Sequence, residues 1–459
     1  MYTLIAIAGL GIICLIAEIF NLRKAIVPVT ILGLFGTLGL TVSEYGTHTS
    51  FYNNMVTVNN YSVAFSGLFI LLTIFLIALT PDFHKEHKAK ISDFVAIKLF
   101  LLTGAIAMVS FGNLAMFFLG IEILSISLYV LAASQPKNLR SNEAGMKYFL
   151  MGAFASGILL FGIALIYGAT GSFDTAVIYG KILDKESLPG WYFIGIVMLS
   201  IGLLFKIAAA PFHFWAPDVY EGSPALTTAT MSTLAKVAAI AAFFKIMVSL
   251  NRTVPGSYVT IITIVSILSM TIGNLTALRQ TNVKRMLAFS GISHAGFMLM
   301  VFYNPTVTAG TLLYYTAAYA LAGIAAFAVI LSVTGNSADK DKEEVFNFNG
   351  LGKRSPLMAG ILTCALLSMA GIPIFSGFFA KAFLFNHVFL TGHVAIVIIA
   401  IINSIISVGY YFKLIFAMYT QENITEKQPV PFMYTAVAVV SIALNIILGL
   451  YPSFVLDLI

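Results

Sequence analysis

The chain has 459 residues, of which 59% are hydrophobic and only 10% are charged, and its mean hydropathy is +0.95. These values exclude a soluble globular protein, and the net charge of +6 does not indicate nucleic-acid binding, since no basic patch on a soluble surface is available. The apolar residues occur in runs near the length of a helix that spans a bilayer. Because backbone polar groups inside a bilayer must pair within their own segment, we predict an all-α polytopic membrane protein.

Hydropathy predicts about fourteen transmembrane helices. In chain order the approximate segments are 2–20, 25–42, 63–80, 94–111, 114–133, 146–169, 191–212, 227–250, 258–278, 284–303, 309–333, 356–388, 394–419 and 434–451. The first lacks a basic leader and a small-residue cleavage site, so it is interpreted as a retained span. The twelfth is too long and too interrupted to form one straight helix. No soluble domain is expected, because the longest polar connection, 335–355, has only the length of a loop.

Lysine and arginine in the loops predict the orientation, because basic residues resist translocation. Fifteen lie on one face: Arg23, Lys24, Lys85, Lys88, Lys90, Lys137, Arg140, Arg279, Lys284, Arg285, Lys340, Lys342, Lys353, Arg354 and Lys427. The opposite face has three, namely Lys181, Lys185 and Arg252. We therefore expect the basic face to be cytoplasmic and both termini to lie on the other side of the membrane.

Charged residues inside the predicted spans are the candidates for function, because each costs several kcal/mol on insertion. Seven lysines and one acid near the centre of a span qualify: Lys98, Lys147, Lys206, Lys236, Lys245, Lys381, Lys413 and Glu122. Lys98, Lys245 and Lys413 lie nearer span ends and are interpreted as anchors, and for Lys147 snorkelling competes with function. The other members predict a line of titratable groups, which is what proton movement through a membrane protein needs.

Two predicted spans contain a helix breaker beside one of these lysines. Pro211 cannot donate to the carbonyl of Ile207, one residue from Lys206, and Pro373 in the span of Lys381 frees the carbonyl of Met369. Such breaks build ion sites in transporters, although proline also makes simple packing kinks. Because both breaks accompany a buried lysine, function is the favoured interpretation. His294, on the tenth span, is equally consistent with a satisfied core histidine and with a relay residue.

The chain has no visible redox cofactor of its own. Cys14 and Cys364 stand alone inside apolar spans, without the spacing of an iron–sulfur or zinc site. No strand–GxGxxG–helix unit offers a dinucleotide pocket. Whatever drives the protein is therefore expected to come from elsewhere.

A faint internal repeat predicts the organisation of the single membrane domain, 1–459. The stretch that begins Lys147-Tyr148 resembles the one that begins Lys284-Arg285, and a proline-broken helix follows each. We predict three N-terminal helices in 1–93, five-helix units in 94–250 and 251–420, and a C-terminal helix in 421–459. An odd number of helices inverts the second unit, which predicts two inverted repeats with broken helices seven and twelve.

Four motifs carry a specific resemblance. They are FLGIE at 118–122, KIAAAPFHFWAPDVY at 206–220, QTNVKRML at 280–287 with Ser293-His294, and LSMAGIP at 367–373 leading to Lys381. Together they resemble the antiporter-like subunits of respiratory complex I, the NADH–quinone oxidoreductase of bacteria and mitochondria. The resemblance extends over nearly the whole chain, and the order of the motifs agrees.

The resemblance implies a proton relay in a translocating enzyme. Glu122 would pair with Lys206 and set its proton affinity, Lys236 would connect two half-channels, and Lys381 would exchange the proton on the exit side. Lys147 would tune the first half-channel, and Ser125 and Ser127 would help hydrate it. The resemblance further implies the bacterial inner membrane, neighbouring antiporter-like subunits, and partners that carry FMN and iron–sulfur clusters and reduce quinone.

Two other functions remain open at this stage. A subunit of a multisubunit sodium–proton antiporter shares the fold and most of the motifs. A purely structural membrane scaffold is less consistent with the sequence, because its interior charges would be matched in sign, whereas several lysines here face one central acid.

Overall fold

The computed structural model describes residues 1–84, 91–183, 188–250, 256–305, 308–335, 340–420 and 429–459. Most of this part of the chain is helical, which confirms the predicted all-α polytopic membrane protein. Twelve of the described helices are long and apolar enough to cross a membrane. Two shorter apolar helices, Gly190–Lys206 and Pro356–Ala370, correspond to the predicted seventh and twelfth spans. The lysines and arginines at 85, 88, 90, 185, 252 and 427, used for the predicted orientation, lie outside the described residues.

The first half of the chain contains α1 (Tyr2–Ile19), α2 (Arg23–Ser43), β1 (Thr49–Phe51), β2 (Val56–Val58), α3 (Asn60–Ala78), α4 (Thr80–Phe83), α5 (Ile91–Ser110), α6 (Leu114–Ala132), α7 (Leu139–Thr170), α8 (Thr175–Leu183), α9 (Gly190–Lys206), α10 (Trp215–Gly222), α11 (Ala225–Thr230) and α12 (Lys236–Leu250). The second half contains α13 (Gly256–Ala277), α14 (Val283–Leu299), α15 (Ala309–Thr334), α16 (Leu351–Arg354), α17 (Pro356–Ala370), α18 (Ser376–Leu390), α19 (Val394–Thr420), α20 (Phe432–Leu450) and α21 (Ser453–Leu456). Short 3₁₀ turns occupy Met300–Tyr303, Lys340–Glu343 and Val345–Phe348. The small antiparallel hairpin β1–β2 and helix α8 were not predicted from the sequence.

The helices divide into a buried centre and a peripheral layer. Helices α14 and α15 are almost entirely enclosed by the rest of the chain, whereas most of α1 and α2 faces outward. A helix that is apolar all round is stable in either place, because lipid tails and a protein interior are both apolar. Charged side chains on the central helices are therefore the ones removed from water.

Both predicted helix breaks are present. Between α9 and α10 the chain leaves the helical path at Ile207–Phe214, with a cis peptide bond at Ala210–Pro211. Between α17 and α18, Gly371 has a φ of 87° and ends α17 in the left-handed conformation, which glycine adopts without steric cost. The breaks therefore lie where Pro211 and Pro373 predict them.

A third irregularity is not visible in the sequence pattern. Between α11 and α12 the residues Met231–Ala235 form a π-helical turn, and Lys236 follows it directly. Single π turns inside α-helices occur frequently at functional sites. No proline or glycine marks this one.

The two stretches that suggested an internal repeat do not occupy equivalent places. Lys147 lies on α7, the third span of the unit 94–250, whereas Lys284 lies at the start of α14, the second span of the unit 251–420. Their likeness is therefore no argument for the repeat. The division into two inverted units remains a prediction, supported by the fact that each break interrupts the fourth span of its unit.

Candidate functional site

Lys206 is the last residue of α9, and its ammonium is turned toward hydroxyl groups on other helices. Nζ donates to Ser125 Oγ at 2.7 Å and to Tyr129 OH at 3.4 Å. Both partners lie on α6, so the broken end of α9 docks on the helix that carries Glu122. Ser127, predicted to help, instead donates to the carbonyl of Ile123 on its own helix at 2.8 Å.

Glu122 is near Lys206 but does not form an ion pair with it. Among the described residues, no salt bridge joins the two side chains, and Glu122 Oε1 is buried without a hydrogen-bond partner. The carboxylate is still close enough to interact electrostatically with Lys206. The pairing of Glu122 with Lys206 stays a prediction, and in the structure Lys206 contacts Ser125.

Lys236 begins α12 directly after the π turn and is buried. Its ammonium lies over the backbone of Gly291 on α14 and close to Tyr319 on α15. A Cβ added at Gly291 would lie 2.7 Å from Lys236 Nζ and 3.1 Å from Tyr319 OH. A larger residue at position 291 would therefore displace the ammonium of this lysine.

His294 lies between Lys236 and Lys381. The sequence left a core role and a relay role equally open for it. Nδ1 contacts Tyr315 OH at 2.9 Å, Nε2 contacts Tyr411 OH at 3.3 Å, and both Lys236 and Lys381 interact with the ring electrostatically. The buried imidazole therefore has a hydroxyl on each side. A cavity of about 10 Å³ beside it, close to the space of one water, is lined by residues that include Tyr319.

Lys381 lies on α18, beyond the second break, as the sequence predicts. Nζ donates to the carbonyl oxygens of Met369 at 3.1 Å and Ala370 at 2.8 Å, and to Ser404 Oγ at 2.9 Å. The Met369 carbonyl is the one that Pro373 was predicted to free. At the first break the carbonyl of Phe205 accepts from the indole nitrogen of Trp215 at 3.1 Å and also from the backbone N–H of Ala208 at 3.0 Å.

Lys147 is half-exposed and belongs to a separate ionic cluster. It pairs with Glu143 at 2.7 Å and with Asp218 at 3.4 Å, and Asp218 also pairs with Arg285 at 2.7 Å. Burial alone would raise the pKa of the Asp218 carboxyl, but Arg285 and Lys147 together lower that pKa below its ordinary value. The cluster lines an open cavity of about 220 Å³. Lys147 therefore lies at this open cavity, and among the described residues it forms no contact with Lys206, Lys236 or Lys381.

The three lysines interpreted as anchors behave differently from one another. Lys98 is buried, 4% exposed, and donates to Thr80 Oγ1 at 2.8 Å, which does not fit its interpretation as an anchor. Lys245 donates to the carbonyl of Val109 at 2.8 Å. Lys413 is exposed and donates to the carbonyl of Gln280 at 2.9 Å, as an anchor would. Lys98 and Lys245 thus bind carbonyl and hydroxyl groups near the ends of neighbouring helices.

Several residues of the site were missed at the sequence level. Tyr315, Tyr411 and Ser404 surround His294 and Lys381, yet nothing in an apolar run distinguishes them from packing residues. Glu343, in the polar segment after α15, forms a buried ion pair with Lys284 at 2.6 Å. In the part of the chain that the structure describes, no group of three or more His, Cys, Asp or Glu side chains could hold a metal.

Comparisons with known proteins give a consistent result. The family model described as "NADH:quinone oxidoreductase/Mrp antiporter, TM" matches residues 112–407. The chain is 66% identical over 465 residues to the NADH-quinone oxidoreductase subunit N of Flavobacterium johnsoniae, covering 100% of both chains. It is 44% identical over 461 residues to the subunit N of Cytophaga hutchinsonii, covering 100% of this chain and 99% of that one.

Two solved structures extend these similarities. A chain in respiratory complex I from Thermus thermophilus aligns with a TM-score of 0.85 and 30% identity, covering 99% of this chain and 98% of that one. A chain of the Mrp complex from Dietzia sp. aligns with a TM-score of 0.87 and 20% identity, covering 99% and 95%. At 20% identity, the second similarity concerns the fold alone.

Proposed function

The chain belongs to the family of NADH:quinone oxidoreductase and Mrp antiporter membrane subunits, and on this premise we propose that it passes protons across the membrane through its buried lysines. It acts as a membrane subunit of an NADH–quinone oxidoreductase, an enzyme complex that is also a translocase. The alternative, a subunit of a cation/proton antiporter, is less well supported. The relatives that match along the full length are named for the oxidoreductase, and the Mrp likeness is one of fold.

The observation that carries the proposal is a set of interior lysines without a contacting carboxylate. Lys236 and Lys381 are buried and Lys206 is half-buried. Among the described residues none of the three forms a salt bridge, and the partners of Lys206 and Lys381 are hydroxyl and carbonyl groups. A lysine removed from water can act as a proton carrier, because its surroundings readily shift the pKa of its ammonium group. A static scaffold would instead pair each buried cation with an acid, as Lys284 is paired with Glu343.

The proposed path begins at Lys206. At about 4 Å and an effective dielectric constant near 20, a unit charge pair is worth about 4 kcal/mol, so a small displacement of Glu122 changes how firmly Lys206 holds its proton. When Glu122 moves away, the proton passes toward Lys236. His294, with a tyrosine hydroxyl on each ring nitrogen, links Lys236 to Lys381. Lys381 exchanges the proton at the second break.

The energy source, the partner subunits and the orientation in the membrane are part of the same proposal. Partner subunits are proposed to carry FMN and iron–sulfur clusters, to reduce quinone, and to time the displacement of Glu122. Other membrane subunits, including antiporter-like ones, are proposed as neighbours in a bacterial inner membrane. The cluster around Lys147 is proposed to face the cytoplasm and both termini the opposite side.

The relay is tested by substitution in the assembled complex, reconstituted in vesicles. Lys206→Ala and Lys236→Ala are expected to lower the protons moved per NADH oxidised, because each removes a carrier from the path. Lys413→Ala, which removes an exposed lysine, is the matched control and should leave that yield unchanged. Equal losses in all three variants would contradict the relay.

A further inference from the structure

The short helix α10, which follows the first break, is held at its outer end by two neighbouring cations of α14. Arg285 Nη1 donates to Asp218 Oδ1 at 2.7 Å and to Glu221 Oε2 at 2.9 Å. Lys284 Nζ donates to the carbonyl of Ser223, just beyond the end of α10, at 2.7 Å. The first turn of α14, in the second predicted unit, thus binds α10, which belongs to the broken span of the first unit.

The grip of Lys284 depends on a third segment of the chain. Its ammonium forms an ion pair with Glu343 at 2.6 Å, and the two side chains are 1% and 4% exposed. Glu343 also accepts from Asn282 Nδ2 at 3.3 Å, and the Asn282 side chain caps α14 by accepting from the backbone N–H of Arg285 at 3.0 Å. Removing one partner of a buried ion pair leaves an uncompensated charge. Lys284 and the start of α14 are therefore held in position by contacts that do not involve α10.

The other end of α10 lies against the last turn of α9. Trp215, the first residue of α10, donates from its indole nitrogen to the carbonyl of Phe205, which precedes Lys206. Its ring stacks on Tyr148 with centroids 4.6 Å apart, and Tyr148 contacts Tyr129 edge-on at 4.9 Å. Tyr129 OH accepts from Lys206. A shift of α10 would therefore move the backbone of Phe205, next to Lys206. Through Trp215 and Tyr148 it would also move Tyr129, whose hydroxyl accepts from Lys206.

We propose that Lys284 and Arg285 are positioning residues of the proton relay. By holding α10 they seat Trp215 on α9, and so they keep Lys206 in contact with Ser125 and Tyr129. The inference rests on the proposed role of Lys206. Helix α14 is enclosed along its length by apolar packing, so these two cations are not needed to keep it in the bundle. Instead, their contacts stabilise the broken span of the first unit and connect it to α14 and to Glu343.

A charge exchange between Arg285 and Asp218 tests the proposal in the assembled complex. Arg285→Glu and Asp218→Arg are each expected to lower the protons moved per NADH oxidised by about tenfold or more, since displacement of a reacting group by about 1 Å can cost about 100-fold. The double variant restores an opposite pair between positions 285 and 218 but leaves Glu221 and Lys147 each beside a like charge, so it should recover part of that yield. Protons per NADH is the chosen measure because a purely structural defect lowers the amount of complex and leaves this ratio unchanged.

The controls separate this inference from the relay itself. Lys413→Gln should be indistinguishable from the unmodified complex. If Lys206→Ala abolishes proton movement while the single exchange variants keep a normal ratio, or if the double variant fails to recover, the positioning role is wrong and the relay stands. If Lys206→Ala moves protons normally, the relay and the positioning role both fail.

Discussion

Glu122 has one carboxylate oxygen that is buried without a hydrogen-bond partner. Lys206, which interacts with Glu122 electrostatically, is bonded to Ser125 instead. A buried acceptor left unpaired costs about 1–3 kcal/mol, and more when it is charged. This is the condition expected of a group that changes partners, because rotation of Glu122 toward Lys206 would satisfy both.

Replacement of Glu122 by Gln tests this at the scale of one residue. The variant keeps the shape of the side chain and removes its charge, so the complex should assemble while the protons moved per NADH fall several-fold. Glu122→Asp, which keeps the charge on a shorter side chain, should retain part of the yield. Asp457→Asn, at an exposed acid near the C-terminus, is the control. A normal yield in Glu122→Gln would show that the charge of Glu122 is not used.

At the scale of the helix, the two proline breaks and the π turn were not equally predictable. A proline removes a backbone donor wherever it stands, so the freed carbonyl of Met369 followed from local chemistry, and Lys381 was found bonded to it. The π turn before Lys236 has no such residue. It forms among buried residues of the central helices, and tertiary packing of this kind cannot be inferred from a run of small and β-branched residues.

Insertion of one alanine after Ser232 tests what the π turn does. The π turn already holds one residue more than the α-helix around it, so a second added residue should turn Lys236 by about 100° relative to α11. Lys236 would then leave its place over Gly291, and proton movement should be lost in an assembled complex. Ser232→Ala keeps the length of the turn and should behave normally. An insertion variant that pumps normally would show that the orientation of Lys236 set by the turn is not used.

Across the whole molecule, hydropathy predicted the spans, but the ionic cluster beside α10 required the fold. Lys147, Asp218 and Arg285 are far apart in the sequence and come together only when α7, α10 and α14 pack. The ends of the chain also meet. The N-terminal ammonium pairs with Glu44 at 2.9 Å, and Tyr45 OH donates to the carbonyl of Leu458 at 3.3 Å, so both termini lie at one end of the protein.

Because both termini share that end, labelling of single cysteines can test the proposed orientation. Thr47→Cys and Ser453→Cys, at exposed positions near the termini, should react with a membrane-impermeant maleimide added outside spheroplasts. Lys137→Cys and Lys353→Cys, exposed on the basic face, should react only after the membrane is opened. Cys14 is buried, and a background chain with Cys364 replaced by Ser accounts for the other native thiol. The reverse pattern would place the basic face outside and would contradict the proposed cytoplasmic position of the cluster around Lys147.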